Sequence, residues 1–379
     1  MSIEITDVIS QAETEVFEIP ASKFLQEHYF GGGSEMENVF DTKSVLIDMD
    51  NGNRESGAFL KKGYADGNTT TFFSATVIPP RIAVSDGIDT VGNDKDRMMF
   101  EKLCKGVGAA QLSRADAFNA LLKLKLARCG EKVLRSIERL CAAVITGNGL
   151  SFSYNTSPTD STAVNCEVSY WDLGSDASNP NANPQTYANA VKWGGTNATP
   201  YDDICAMISK LRQNGGEADE LLLSDSAWSK LHADIIAKQL NEGQIQFINL
   251  TNNGAQTLEQ PYEGATVVGD VLFNGTRLRC IVYAGGYQAS DGTFTPYLSG
   301  DFAAVIKSGC GRILYGAVSK VNPAAVASYD VPAVSALTGK LIGTRHVDAN
   351  TDDVSVRVES VPLPMPSHIW SWVVLQQHA

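Results

Sequence analysis

The side chains able to do chemistry are few, and their spacing does not favour it. His232 and Asp234 share a predicted helix, the pairing a general base and its orienting carboxylate would need, but no G-x-S-x-G elbow or cysteine nucleophile answers them. His232 therefore reads as an ordinary surface or core histidine. Thr338-Gly339-Lys340 ends like a phosphate-binding loop yet lacks the upstream glycine and the following hydroxyl residue, and Gly31-Gly32-Gly33 is followed by neither Lys-Ser/Thr nor a helix, so a flexible joint is expected there. The run Asp48, Asp50, Asn51, Gly52, Asn53, Glu55 misses the calcium-loop spacing by one residue and has no flanking helix, which leaves turn chemistry. Seven cysteines (104, 129, 141, 166, 205, 280, 310) include no CxxC pair, and five histidines form no HExxH. That usage fits reduced, buried thiols; no catalytic residue, metal site or cofactor is expected.

The residues that could act by charge lie instead on one helix. Lys123, Lys125, Arg128, Lys132, Arg135 and Arg139 stand against only Glu131 and Glu138, in a chain whose net charge is -13. Such a face is either solvated and laced with pairs such as Glu131 to Arg135, or it meets an acidic partner: another copy of this chain, or nucleic acid. The helix itself runs from 113 to 146. Its apolar stripe is Phe118, Leu122, Leu126, Cys129, Val133, Ile137, Cys141 and Ile145, at spacings of three and four. Ser113 caps its start, Gly147-Asn148-Gly149 ends it, and Gly130 marks a candidate bend. At 1.5 Å per residue its length is about 50 Å, long for a compact domain.

Around this helix the chain divides by pattern. Residues 1 to 23 are polar and acidic and read as an arm that orders only against a neighbour, with the aromatic cluster FLQEHYF as its anchor. Residues 42 to 82 are extended, with turn signals at Asn51-Gly52 and Asp66-Gly67, and too poor in apolar residues to carry a core. Residues 148 to 198 are rich in Asn, Ser, Thr and Gly. A compact unit follows: Thr199 and Pro200 open a helix with Ile204, Met207, Ile208 and Leu211 on one face, then come strand ELLLS, a helix around Trp228 and Leu231, and a series of strands. The alternation of SVRVESV and the apolar IWSWVVLQ make the C-terminal stretch structural. The fold class is α+β. With 379 residues, 43% hydrophobic, a sizeable core is available; no window resembles a membrane span or signal peptide, and the acidic balance excludes the usual basic nucleic-acid binder.

Six stretches occur in a telling order: FLQEHYF; DTKSVLIDMD leading to GAFLKKGY and TTTFFSATVIPPRI; WGGTNATPYDDI; ELLLSDSAWSKL; CIVYAGGYQASDGTFTPYL; and RVESVPLPMPSHIWSWVVLQ. Together they make the chain resemble the major capsid proteins of tailed phages, and among them the lambda major head protein family. The resemblance implies the Hong Kong 97 type fold: an N-terminal arm at 1–43, an E-loop hairpin at 44–78, a peripheral domain at 79–198 with the spine helix 113–146 and a variable insertion, an axial domain at 199–320, and return strands at 321–379 to the peripheral domain. It implies a non-enzymatic shell protein assembling with itself into hexamers and pentamers around double-stranded DNA, without sequence reading. A portal, a scaffold and a decoration protein are the implied partners, no membrane is involved, and assembly takes place in the host cytoplasm. The subunit-interface candidates are Phe24 and Tyr29 on the arm, Lys61, Lys62 and Tyr64 at the hairpin tip, and Arg128, Lys132, Arg135 and Arg139 on the helix. The alternatives are a cellular nanocompartment shell of the same fold and an Asn-rich surface-binding module.

Overall fold

The computed structural model describes residues 22–34, 37–42, 44–50, 72–88, 94–105, 112–147, 149–155, 163–170, 186–238, 245–247, 262–289, 291–321, 334–337, 339–348, 353–367 and 370–376. After a π-helical turn at Leu25–Tyr29, strands β1 (Val45–Asp50) and β2 (Phe72–Val77) pair antiparallel, from Val45 opposite Val77 to Asp50 opposite Phe72. Strand β3 (Ile82–Ile88) follows, then α1 (Asp94–Lys105) and α2 (Arg114–Gly147). The long helix is thus 34 residues, within one residue of its expected bounds. Ser113 caps it as the sequence suggests, its hydroxyl accepting from Asp116 N at 3.1 Å. It runs through Gly130 unbroken. A Cβ there would meet only Leu341 Cδ1, at 3.9 Å, an ordinary contact. Gly130→Ala should accordingly stabilise the subunit by about 1 kcal/mol, the helix-propensity difference, seen as a raised midpoint in urea.

Strands β4 (Gly149–Asn155) and β5 (Ala163–Ser169) form the next hairpin, followed by the short β6 (Thr186–Ala188). Helix α3 (Pro200–Gln213), β7 (Glu220–Leu223) and α4 (Asp225–Ala237) then lead through β8 (Ile245–Phe247) to β9 (Ala265–Phe273) and β10 (Thr276–Tyr283). The expected cap of α3 works differently: Thr199 makes no side-chain cap bond, and Asp234 on α4 accepts from Tyr201 N at 2.9 Å instead. Asp234 is therefore engaged in holding two helices together, and His232, half-buried, packs its ring against Trp228. A small hairpin, β11 (Gly286–Gln288) with β12 (Phe294–Pro296), precedes β13 (Ala303–Ile306) and β14 (Gly311–Tyr315). The chain closes with β15 (Val318–Val321), β16 (Val334–Leu337), β17 (Ile342–Asp348), β18 (Asp353–Ser360), β19 (Pro362–Pro366) and β20 (Trp372–Gln376).

Seven strands form one sheet, in the order β6-β20-β13-β7-β10-β9-β8. Its central strands β7 and β13 are buried along their whole length, which is why they read as the continuous apolar runs LLL and AAVI. Alternation splits them between two cores: Leu221, Leu223, Ala303 and Val305 pack with α3 and α4, while Leu222, Ala304 and Ile306 share a core with α2 and the N-terminal aromatic turn. The sheet is the middle layer. A second sheet, β17-β18-β3, lies along α2. In the C-terminal stretch β18 pairs with β3, and β20 enters the large sheet beside β13. Among the described residues no helix is long and apolar enough to cross a membrane.

Candidate assembly interface

Two faces of α2 define the region where charge and exposed apolar surface come together. The inner face holds two charged residues that their charge alone would send outward. Lys125 is buried, its ammonium 2.7 Å from Asp96 Oδ2 and 3.3 Å from Asp86 Oδ1, and it also donates to the Gly87 carbonyl. It belongs to the clamp that holds α1 and β3 against α2, not to the basic outer face on which the sequence places it. Lys125→Met should lower stability by about 2–3 kcal/mol, because a buried carboxylate at Asp96 loses its cation; thermal unfolding of the isolated subunit measures it.

Glu138, also expected outside, is fully buried and organises the N-terminal turn. Its Oε1 accepts from Leu25 N at 2.7 Å and from the Tyr283 hydroxyl at 2.9 Å; Oε2 accepts from Gln26 N at 3.1 Å and Gln26 Nε2 at 3.0 Å. The carboxylate thereby satisfies backbone N–H groups at the start of the turn that have no partner within it. Burial pushes the Glu138 carboxyl above the ordinary glutamate value, and the donated hydrogen bonds pull it part of the way back.

Around this carboxylate sits the aromatic anchor. Phe24 stacks on His28, meets Tyr29 edge-on and lies 5.0 Å from the Tyr283 ring, while His28 Nε2 approaches Glu220 Oε2 at 2.7 Å. Phe24 and Tyr29 are both completely buried in this subunit. Proposed from sequence as contacts with a neighbour, they are instead committed to their own core: large aromatic surfaces next to the sheet gain more from burial there. The triglycine is likewise a packed joint and not a loose one. Gly32 N donates to Gly311 O at 3.2 Å, Gly31 bridges to Arg312, and a Cβ on Gly31 would collide with the Glu27 carbonyl.

The outer face carries the other candidates. Arg128, Lys132, Arg135 and Arg139 line one groove with Asp86, Glu131, Tyr287 and Phe294, about 910 Å³ in volume, between α2 and the β11–β12 hairpin. Arg139 lies over the Tyr287 ring at 5.0 Å, and the Tyr297 hydroxyl donates to Arg135 O at 3.3 Å, which fixes the hairpin against the helix. Phe294 at the hairpin edge is 67% exposed. Structure thus brings the four helix cations together on one concave surface. Lys61, Lys62 and Tyr64 lie outside the described residues. At the base of β1 and β2, Leu46 and Ile78 stand 64% and 66% exposed.

Chemical capacity is low in the same region. Burial pushes the Cys141, Cys280 and Cys310 thiols well up, away from the thiolate form a nucleophile needs. Among the described residues no group of three or more His, Cys, Asp or Glu is placed to hold a metal ion.

The chain superposes over its full length on a prophage capsid protein from E. coli CFT073, covering 100% of both chains with a TM-score of 0.55 at 14% identity. The capsid of cyanophage P-SCSP1u (TM-score 0.43, 10% identity, 96% of this chain and 91% of that one) and a Mycobacterium phage Adephagia structure (0.42, 10%, 100% and 99%) also match. No curated protein sequence matches. The fold, read from the first of these, is the Hong Kong 97 type, with α2 as its spine helix. A family model for phage major capsid protein E matches residues 93–376, three quarters of the chain, a span that includes α1 to α4 and the large sheet. The chain belongs to the phage major capsid protein E family.

Proposed function

We propose that this protein builds the phage head by assembling with itself into hexamers and pentamers that close an icosahedral shell around double-stranded DNA in the virion. The observation that carries this reading is the mismatch between a rigid body and an incomplete edge. The spine helix is bolted to the large sheet through Glu138 and the aromatic anchor, while the β1–β2 pair presents Leu46 and Ile78 mostly exposed and pairs with no third strand among the described residues. Isolated two-stranded hairpins are marginal in water, so a neighbouring copy supplies the missing burial. Lys61, Lys62 and Tyr64 at the hairpin tip and the four cations of the α2 groove are the proposed contact residues on this edge. The protein acts structurally, without catalysis or cofactor. DNA is enclosed and not read, in keeping with the net charge of -13. Portal, scaffold and decoration protein are its partners, and assembly proceeds in the host cytoplasm.

Light scattering of the purified protein followed by negative-stain microscopy tests this. Closed particles or hexamer-sized rings are the expected result; a species that stays at 40.7 kDa at every concentration, with scaffold co-expressed, would overturn it. Shells that enclose cargo protein instead of DNA would move the reading to a nanocompartment.

A further inference from the structure

A second cavity, about 340 Å³ in volume, lies between the N-terminal turn and β14, apart from the α2 groove. Its walls include Gln26, Phe30, Gly33, Asn38, Ile313 and Lys340. Two carboxamides among them are more than nine-tenths buried, Gln26 at 2% and Asn38 at 8% exposure. Each has partners on its nitrogen only. Gln26 Nε2 donates to Leu134 O and to Glu138 Oε2, both at 3.0 Å, and Asn38 Nδ2 donates to Gly32 O at 2.9 Å, so these acceptors fix which end of each amide is the oxygen. Gln26 Oε1 and Asn38 Oδ1 have no donor.

A buried carbonyl oxygen without a donor costs free energy on the scale of a lost hydrogen bond, and native proteins leave few such groups unused. Two of them at one cavity mark it as a place where donors enter. Glycine keeps the surroundings of one oxygen clear: Gly33 stands at φ +82°, and a Cβ on it would come within 2.7 Å of Asn38 Oδ1. The remaining polar group is of the opposite kind. Lys340 is half-buried and has no carboxylate partner among the described residues. These groups select a ligand by elimination. A carboxylate or phosphate would suit Lys340 but set its own lone pairs against two carbonyl oxygens. An ammonium or metal cation would suit the oxygens but face the lysine charge in a site partly withdrawn from water. A neutral group that both donates N–H bonds and accepts one satisfies all three, and a carboxamide has that pattern.

We infer that this cavity binds a primary carboxamide, whose nitrogen donates to Gln26 Oε1 and Asn38 Oδ1 and whose oxygen accepts from Lys340 Nζ. Its volume is at the lower end of the range for small-molecule sites, which suits a group of that size with a short alkyl stem against Phe30 and Ile313. Two sources carry this chemistry: a free small amide, and an Asn or Gln side chain of a neighbouring copy in the shell. The assembly contacts proposed above do not use this cavity, so the inference stands apart from them.

Saturation-transfer NMR on the full chain, held dilute and unassembled, tests it with three probes of similar size: acetamide, sodium acetate and methylammonium chloride. Saturation of the acetamide methyl is expected, with acetate and methylammonium at least about tenfold weaker, since each supplies half of the pattern and leaves a buried group unpaired. In carbon-13-labelled protein the side-chain carbonyl carbons of Gln26 and Asn38 should shift together along the acetamide titration. Lys340→Met keeps the backbone carbonyl that accepts from Ser360 Oγ, so the circular dichroism spectrum should hold while the acetamide signal falls about tenfold. Absence of saturation would overturn the inference and leave the cavity to water. An equal response to acetate would also overturn it, reducing the site to a lysine that pairs with anions. The same acetamide measurement on assembled shells separates the sources. A response that persists there assigns the cavity to a free small amide, and a response confined to the unassembled subunit assigns it to a side chain of the neighbouring copy. The binding result is read before assembly, so its failure and a failure to form shells are told apart.

Discussion

A subunit lacking residues 58–70, rejoined by a short Gly-Ser turn, should fold normally and form no stable shells. The expectation follows from where burial is already satisfied. The two large hydrophobic cores are built mainly from α2, α3, α4, the large sheet and the N-terminal anchor, and of the described residues between 45 and 76 only Val45, partly buried, packs against them. With the described core built elsewhere, the circular dichroism spectrum and thermal midpoint of the deleted chain should stay within about 2 °C of the parent, since distant sites add independently. What the deletion takes away is the proposed contact of Lys61, Lys62 and Tyr64 with a neighbour. A closed shell multiplies each lost contact over many identical interfaces, so a modest loss per subunit becomes loss of the particle. The measurement is particle yield by sedimentation and negative stain. Shells of normal yield from the deleted chain would remove the E-loop from the assembly contacts.

Long periodic elements were legible in the sequence because their own residues decide them. Over 34 residues α2 repeats its stripe often enough that no tertiary partner is needed to recognise it, and β7 and β13 announce burial on both faces by their unbroken apolar runs. Polar residues inside those elements were not legible in the same way. Lys125 lies four residues from both Leu121 and Cys129, and Glu138 four after Leu134 and three before Cys141, so both stand on the inward side of the wheel. Their spacing was a usable signal, but charge outweighed position, because the partners that make burial tolerable come from far along the chain: Asp86 and Asp96 for one, Leu25, Gln26 and Tyr283 for the other. The same holds for Phe24 and Tyr29. An aromatic cluster at the end of an acidic stretch is an anchor on any reading, and only the fold says whether it holds to its own subunit or to the next. The basic groove was half visible: four cations on one face could be counted, whereas the β11–β12 hairpin that turns the face into a concave surface could not.

Glu138→Ala should destabilise the subunit by about 4 kcal/mol and loosen residues 24–30 before the rest of the body unfolds. Four donors converge on this carboxylate, two of them backbone N–H groups with no other acceptor in their turn. A buried donor left without an acceptor costs about 1–3 kcal/mol, and breaking a buried charged network about 3–5 kcal/mol in total, since the individual losses do not add. Glu138→Gln separates the charge from the geometry: one oxygen remains to accept a pair of donors while the amide nitrogen faces the other pair, for a loss of about 2 kcal/mol. The two variants also differ from the parent in their response to pH. Burial raises Glu138 above the ordinary 4.5, so between 4.5 and that higher value the folded state holds more protons than the unfolded chain. Stability from this group is thus fully present below 4.5 and is lost as pH rises through the folded value. The parent should therefore lose stability relative to Glu138→Gln over that rise, in urea titrations run from pH 4 upward, and hydrogen exchange should show residues 24–30 opening first in Glu138→Ala. A stability gap between parent and Glu138→Gln that widens with rising pH would show that the hydrogen bonds outweigh burial and that the carboxyl titrates below 4.5.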